Sequence, residues 1–139
     1  MKAYLDASVL LRSLLHEPGS IDNWARWELI VSSELIRVEA FRSLDRVRLG
    51  KRVQESQVVE LTVTLRSMLA RLQQVPIGSL IQDRAAGPFH TVIGTLDAIH
   101  LATALLWMEQ TEEPLLFVTH DVQLAVAARL AGLDVQTEP

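Results

Sequence analysis

Residues 96–104, Leu-Asp-Ala-Ile-His-Leu-Ala-Thr-Ala, constrain the fold more than any other stretch. Ala and Leu dominate, and neither Gly nor Pro recurs until Pro114, so the segment reads as a helix. Ile99, Ala102 and Leu106 line one face, and Ala98, Leu101, Leu105 and Met108 another. A helix apolar on nearly every face belongs in an interior. Yet a carboxylate, Asp97, stands in its first turn, with Thr95 ahead of it as the expected N-cap. Alone, such an acid merely favours a helix start. Its meaning depends on where the other acids fall.

Elsewhere short apolar runs alternate with helical periods. Lys2–Asp6 reads as a buried strand ending on an acid, and 7–16 as a helix with Ser8 as its expected cap and Glu17-Pro18-Gly19 as its stop. Residues 20–28 read as a short helix placing Trp24 and Trp27 in the core, and 29–32 as a second strand. Ser33 is placed to cap a helix over 34–49 with an inward stripe of Ile36, Ala40, Leu44 and Val47, for which Gly50 is a natural end. Residues 54–73 repeat the amphipathic pattern with Val58, Leu61, Leu65 and Leu72 inward, making an antiparallel helical hairpin over about 34–73. Val75-Pro76-Ile77 reads as a weak edge strand, 80–86 as a helical turn and 115–119 as the clearest strand. A helix over 122–131, closed by Gly132, leads to a last strand at 133–135. Strand–helix alternation throughout a chain of 139 residues predicts one α/β domain over 1–139, with a four- to five-stranded, mainly parallel sheet between helical layers.

Composition narrows the function. There is no cysteine, which removes disulfides and thiolate zinc sites. No apolar run approaches the ~20 residues of a membrane span, and the opening residues do not spell a signal peptide, so a cytoplasmic protein is expected. The net charge of −4 argues against a passive nucleic-acid binder. Residues 37–52 nevertheless hold six of the thirteen basic residues and only two acids, a local +4 that could meet phosphate or simply face solvent.

Asp6, Asp97 and Asp121 all fall at strand ends or helix starts, and right-handed crossovers bring the carboxyl ends of parallel strands to one edge. Glu39 flanks its helix's buried stripe and can lean over the same edge, in one row with Arg42 and Arg46. Four carboxylates in one cleft repel unless a cation sits among them. Oxygen donors without sulfur favour Mg²⁺ or Mn²⁺, and such a site suits phosphodiester hydrolysis. Arg42 either pairs with Glu39 at i, i+3 or contacts phosphate with Arg46. His100 reads as a structural histidine and His120 as a strand-end residue, while His16 and His90 show no partner pattern.

Four stretches carry a resemblance. Tyr4-Leu5-Asp6-Ala7-Ser8-Val9-Leu10, residues 34–42 around Glu39, residues 96–104 around Asp97, and Val118-Thr119-His120-Asp121 with the helix after it resemble the four motifs of PIN-domain nucleases. Length and spelling are most similar to the VapC-type toxins of bacterial toxin–antitoxin pairs. The resemblance implies a sheet of order 3-2-1-4-5 and a metal-dependent endoribonuclease, often acting on transfer or ribosomal RNA and leaving a 5′-phosphate and a 3′-hydroxyl. Asp6 and Asp97 would hold the principal ion with Asp121 beside them, and Glu39 would assist, partly through water. Ser8 and Thr119 would support them. The implied partners are a small antitoxin whose tail fills the groove and a second copy of the chain, with the helical hairpin serving both contacts. A receiver domain would need an acidic pair after its first strand, and an Asp-x-Asp phosphatase is excluded by Ser8. A non-catalytic module of the same fold, or a DNA-directed nuclease with the same acids, remains as the alternative.

Overall fold

The computed structural model describes residues 1–139. Five strands, β1 (Lys2–Leu5), β2 (Leu29–Ser33), β3 (Gln73–Val75), β4 (Leu116–Val118) and β5 (Asp134–Gln136), form one sheet in the order β3-β2-β1-β4-β5, parallel throughout. Ala3, Tyr4 and Leu5 of the central strand are wholly buried, because helices cover both faces. Tyr4 pairs with Val31 and Leu5 with Val118, so β1, β2 and β4 finish at a common edge.

Six helices supply the outer layers: α1 (Ala7–Leu14), α2 (Leu35–Leu49), α3 (Glu55–Ala70), α4 (Ser79–Ala85), α5 (Thr95–Thr111) and α6 (Val122–Leu130). Alternation along β1 divides the core in two. Ala3 and Leu5 join α1 and the α2–α3 hairpin through Val9, Leu10, Ile36, Leu44 and Leu65. Tyr4 joins α5 and α6 through Leu101, Leu105, Phe117 and Leu124. The expected stripe of Ile36, Ala40, Leu44 and Val47 is the buried face of α2. No helix is long and apolar enough to cross a membrane.

Several boundaries differ from the sequence reading. The expected helix over 20–28 is a single 3₁₀ turn, Trp24–Arg26. Trp24 donates its ring N–H to the Ile21 carbonyl at 2.5 Å, and three-residue spacing in so tight a turn sends Trp24 and Trp27 into the core together. Strand β3 lies two residues earlier than expected. Pro76 has no N–H to donate, and the Ile77 N–H goes to the Glu34 carboxylate at 2.8 Å, so the ladder ends at Val75. Gly50 follows α2 with φ −74°, not left-handed; Lys51 takes the positive φ of 55°. Gly50 is required for space instead, since a Cβ there would stand 3.2 Å from the Arg46 carbonyl oxygen. Thr95 is the first residue of α5 rather than its cap, and Gly94 precedes it without a side-chain bond. Helix α1 is capped by Asp6 and not by Ser8.

Candidate active site

Asp6 leaves β1 in an extended conformation and caps α1. Its Oδ1 accepts from the Ser8 hydroxyl at 2.6 Å and the Val9 N–H at 3.4 Å, and its Oδ2 accepts from the Thr119 hydroxyl at 2.8 Å. Only 4% of the residue is exposed. Burial raises its pKa, and the bonds from Ser8 and Thr119 oppose that rise. Ser8 and Thr119 also tie β1 to the loop after β4. Ser8 Oγ accepts the His120 N–H at 2.9 Å, and Thr119 Oγ1 accepts the Asp121 N–H at 3.0 Å. Asp121 in turn caps α6, its Oδ1 accepting from the Leu124 N–H at 2.9 Å.

Asp97 differs from both. It sits half-buried in the first turn of α5, and its carboxylate has no hydrogen-bond donor within the chain. Burial raises its pKa first, then the charges of Asp121, Asp6 and Glu39, with His100 opposing. The other three acids therefore all bear on Asp97 at the carboxyl edge of the sheet. No three His or acidic side chains enclose a metal-sized space as they stand.

Glu39 reaches this edge from the middle of α2. Its Oε1 accepts from His100 Nε2 at 2.5 Å, and His100 Nδ1 meets the Tyr4 hydroxyl at 2.7 Å. His100 is thus a buried, fully partnered histidine. The Glu39–Arg42 pair does not form. Glu39 turns inward to His100, while Arg42 reaches Asp45 at 3.1 Å and Arg46 donates to Ser43 at 2.8 Å. Asp45, a turn further along, is the nearer partner for an arginine on the solvent side. His120 donates its Nδ1–H to the Thr137 carbonyl at 3.1 Å, and its Nε2 is buried without a partner. Burial, then Arg12, lowers its pKa. A cleft of about 510 Å³ lies away from the acidic edge. It opens beside the first turns of α5 against Pro88, Phe89, Val92 and Ile93.

The donor set suits a hard divalent cation. Asp97 is an acid with no donor of its own among three other acids, which leaves a cation as the partner that would relieve it. A family model described as the PIN domain matches residues 3–130. This chain belongs to the PIN-domain family. No curated protein matches the sequence. Among solved structures, this PIN domain is similar to a chain of the VapBC2 complex from Rickettsia felis, crystallised with a DNA fragment from their promoter. That match has a TM-score of 0.66 and 14% identity over 98% of each chain. It is similar also to PAE2754 from Pyrobaculum aerophilum, with a TM-score of 0.58 and 18% identity over 97% of this chain and 92% of that one. Identities this low speak to the fold alone.

Tyr4 is the member of this PIN edge that reading the sequence missed. Two signals pointed to it. A buried histidine needs a partner at each ring nitrogen. Tyr4, two residues before Asp6 on the strand, also has the only phenolic hydroxyl in the chain.

Proposed function

We propose that this PIN domain is a divalent-metal-dependent endoribonuclease, the toxin of a VapBC-type toxin–antitoxin pair. The observation that carries the reading is Asp97, donorless and flanked by Asp6, Asp121 and Glu39 where the strands end. Asp6, Asp97 and Asp121 would hold a Mg²⁺ or Mn²⁺ ion, with Glu39 assisting. An ion bound there supplies Lewis acidity toward a water and a phosphate oxygen. The chain's own part is to fix the ligands. Ser8 and Thr119 clamp both oxygens of Asp6, and the α6 cap aims Asp121. Overall, the oxygen of one water joins phosphorus and the P–O3′ bond breaks, leaving a 5′-phosphate and a 3′-hydroxyl that takes the proton.

Arg42 and Arg46, exposed on α2, would meet the phosphates of RNA or the carboxylates of an antitoxin. The likeness to the Rickettsia VapBC2 structure supports a cognate antitoxin as partner. A homodimer built on the helical hairpin belongs to the same reading.

The test is incubation of the purified chain with total RNA, and with DNA of matched sequence, in Mn²⁺ and in EDTA. Discrete RNA fragments bearing 5′-phosphates, absent in EDTA, are expected. Cleavage of DNA in preference to RNA would replace the substrate, and cleavage of neither would make the chain a binding module.

A further inference from the structure

We propose that His100 is the positioning residue for Glu39, and that Tyr4 sets the ring proton that lets it act. The inference rests on the metal-dependent reading above. Three of the four acids are held by their backbone, at a strand end, an N-cap or a helix's first turn. Glu39 is not. It stands in mid-helix on a flexible side chain, and the neighbouring arginines are engaged with Asp45 and Ser43. Its hydrogen bond within the chain is the one from His100.

The proton on that bond can be assigned by following donors. The Ser33 N–H donates to the Tyr4 oxygen at 3.1 Å. The nearby Ser32 and Thr103 hydroxyls have given their protons to the Leu5 and Ile99 carbonyls, at 2.7 and 2.6 Å. The Tyr4 O–H is therefore free to donate to His100 Nδ1 at 2.7 Å. Nδ1 then serves as the acceptor, and a ring proton sits on Nε2, facing Glu39 Oε1. The opposite tautomer would set a lone pair against a carboxylate. The tyrosine ring is itself fixed, stacked on Phe117 at 5.2 Å and edge-on to His100 at 5.8 Å. An N–H held in that place orients Glu39 and leaves Oε2 for a cation.

The test is calorimetric Mn²⁺ binding to the full-length chain and to Glu39→Gln, His100→Leu, His100→Gln, Tyr4→Phe and the double variant Glu39→Gln/His100→Leu, each first shown to melt cooperatively. His100→Leu should weaken binding about tenfold or more. His100→Gln, whose amide can still donate, should recover most of the loss, and Tyr4→Phe should weaken binding in the same direction. The double variant should bind no more weakly than Glu39→Gln alone, because His100 acts through Glu39. Losses that add in full would give His100 a merely structural role and overturn the proposal. So would a folded His100→Leu or Tyr4→Phe protein that binds as the parent does. If His100→Leu does not fold, the glutamine and phenylalanine variants decide. A parent chain that binds no Mn²⁺ would overturn the metal-dependent reading itself, and this proposal with it.

Discussion

Asp97 pays electrostatically for its place. In the folded chain it takes up a proton more readily than a free aspartate, first through burial and then through Asp121, Asp6 and Glu39. Asp6 shifts the same way, through burial. With folded pKa values above the unfolded ones, the folded state binds more protons in the window above about pH 4, and stability falls as pH rises through it. Asp45 and Asp22, whose pKa values are lowered by Arg48 and Ser20, work in the opposite sense at more acid pH. Thermal melts in EDTA should therefore show Asp97→Asn a few degrees more stable than the parent at neutral pH, with a flatter dependence on pH. Millimolar Mn²⁺ should raise the parent's melting temperature and leave the variant's unchanged. A variant that melts lower in EDTA would mean that the acids do not strain the fold. The positions of Asp6, Asp97 and Asp121 were legible, because strand ends and helix starts can be read from periodicity. Their partners were not. Nothing in local spacing shows that Glu39 turns from Arg42 to a histidine sixty-one positions away.

At the scale of elements, periodicity located the helices and local hydrogen bonding moved their ends. The α2 stripe was readable because four apolar residues repeat at helical spacing. The β3 boundary depended on a carboxylate from another element, Glu34, which no window of sequence around Pro76 contains. Asp6 and Asp121 do two jobs, capping α1 and α6 while facing the edge, and the jobs can be separated. Asparagine caps as well as aspartate and removes a charge facing Asp97, so Asp121→Asn should lose no stability to urea in EDTA. Asp121→Ala should lose about 0.5–2 kcal/mol, and both should lose cleavage. If Asp121→Asn cut RNA at the parental rate, Asp121 would be a cap only.

Over the whole molecule, the parallel sheet was legible because helices alternate with strands, and its order because four motifs resemble one family. The helical hairpin leaves Val59 and Val63, a turn apart on α3, exposed at 66% and 65%, and Val38 and Leu49 of α2 at 59% and 63%. Apolar surface repeated at helical spacing on one hairpin suits a second copy. Sedimentation should find a dimer for the parent and a monomer for Val59→Glu/Val63→Glu, while a parent that is monomeric at all concentrations would contradict the dimer. The basic segment 37–52 should carry substrate affinity rather than chemistry. Arg42→Ala and Arg46→Ala should each weaken RNA binding and lower its salt dependence by about one counterion.

The most direct test of the carboxylate edge as a hydrolytic centre is the rate of RNA cleavage in Mn²⁺ by Asp6→Asn beside the parent, both confirmed folded. Asparagine keeps the oxygen that caps α1 and accepts from Ser8 while removing the charge. Cleavage falling to the level seen in EDTA is the predicted result. A folded Asp6→Asn protein that cuts as fast as the parent would place the chemistry elsewhere.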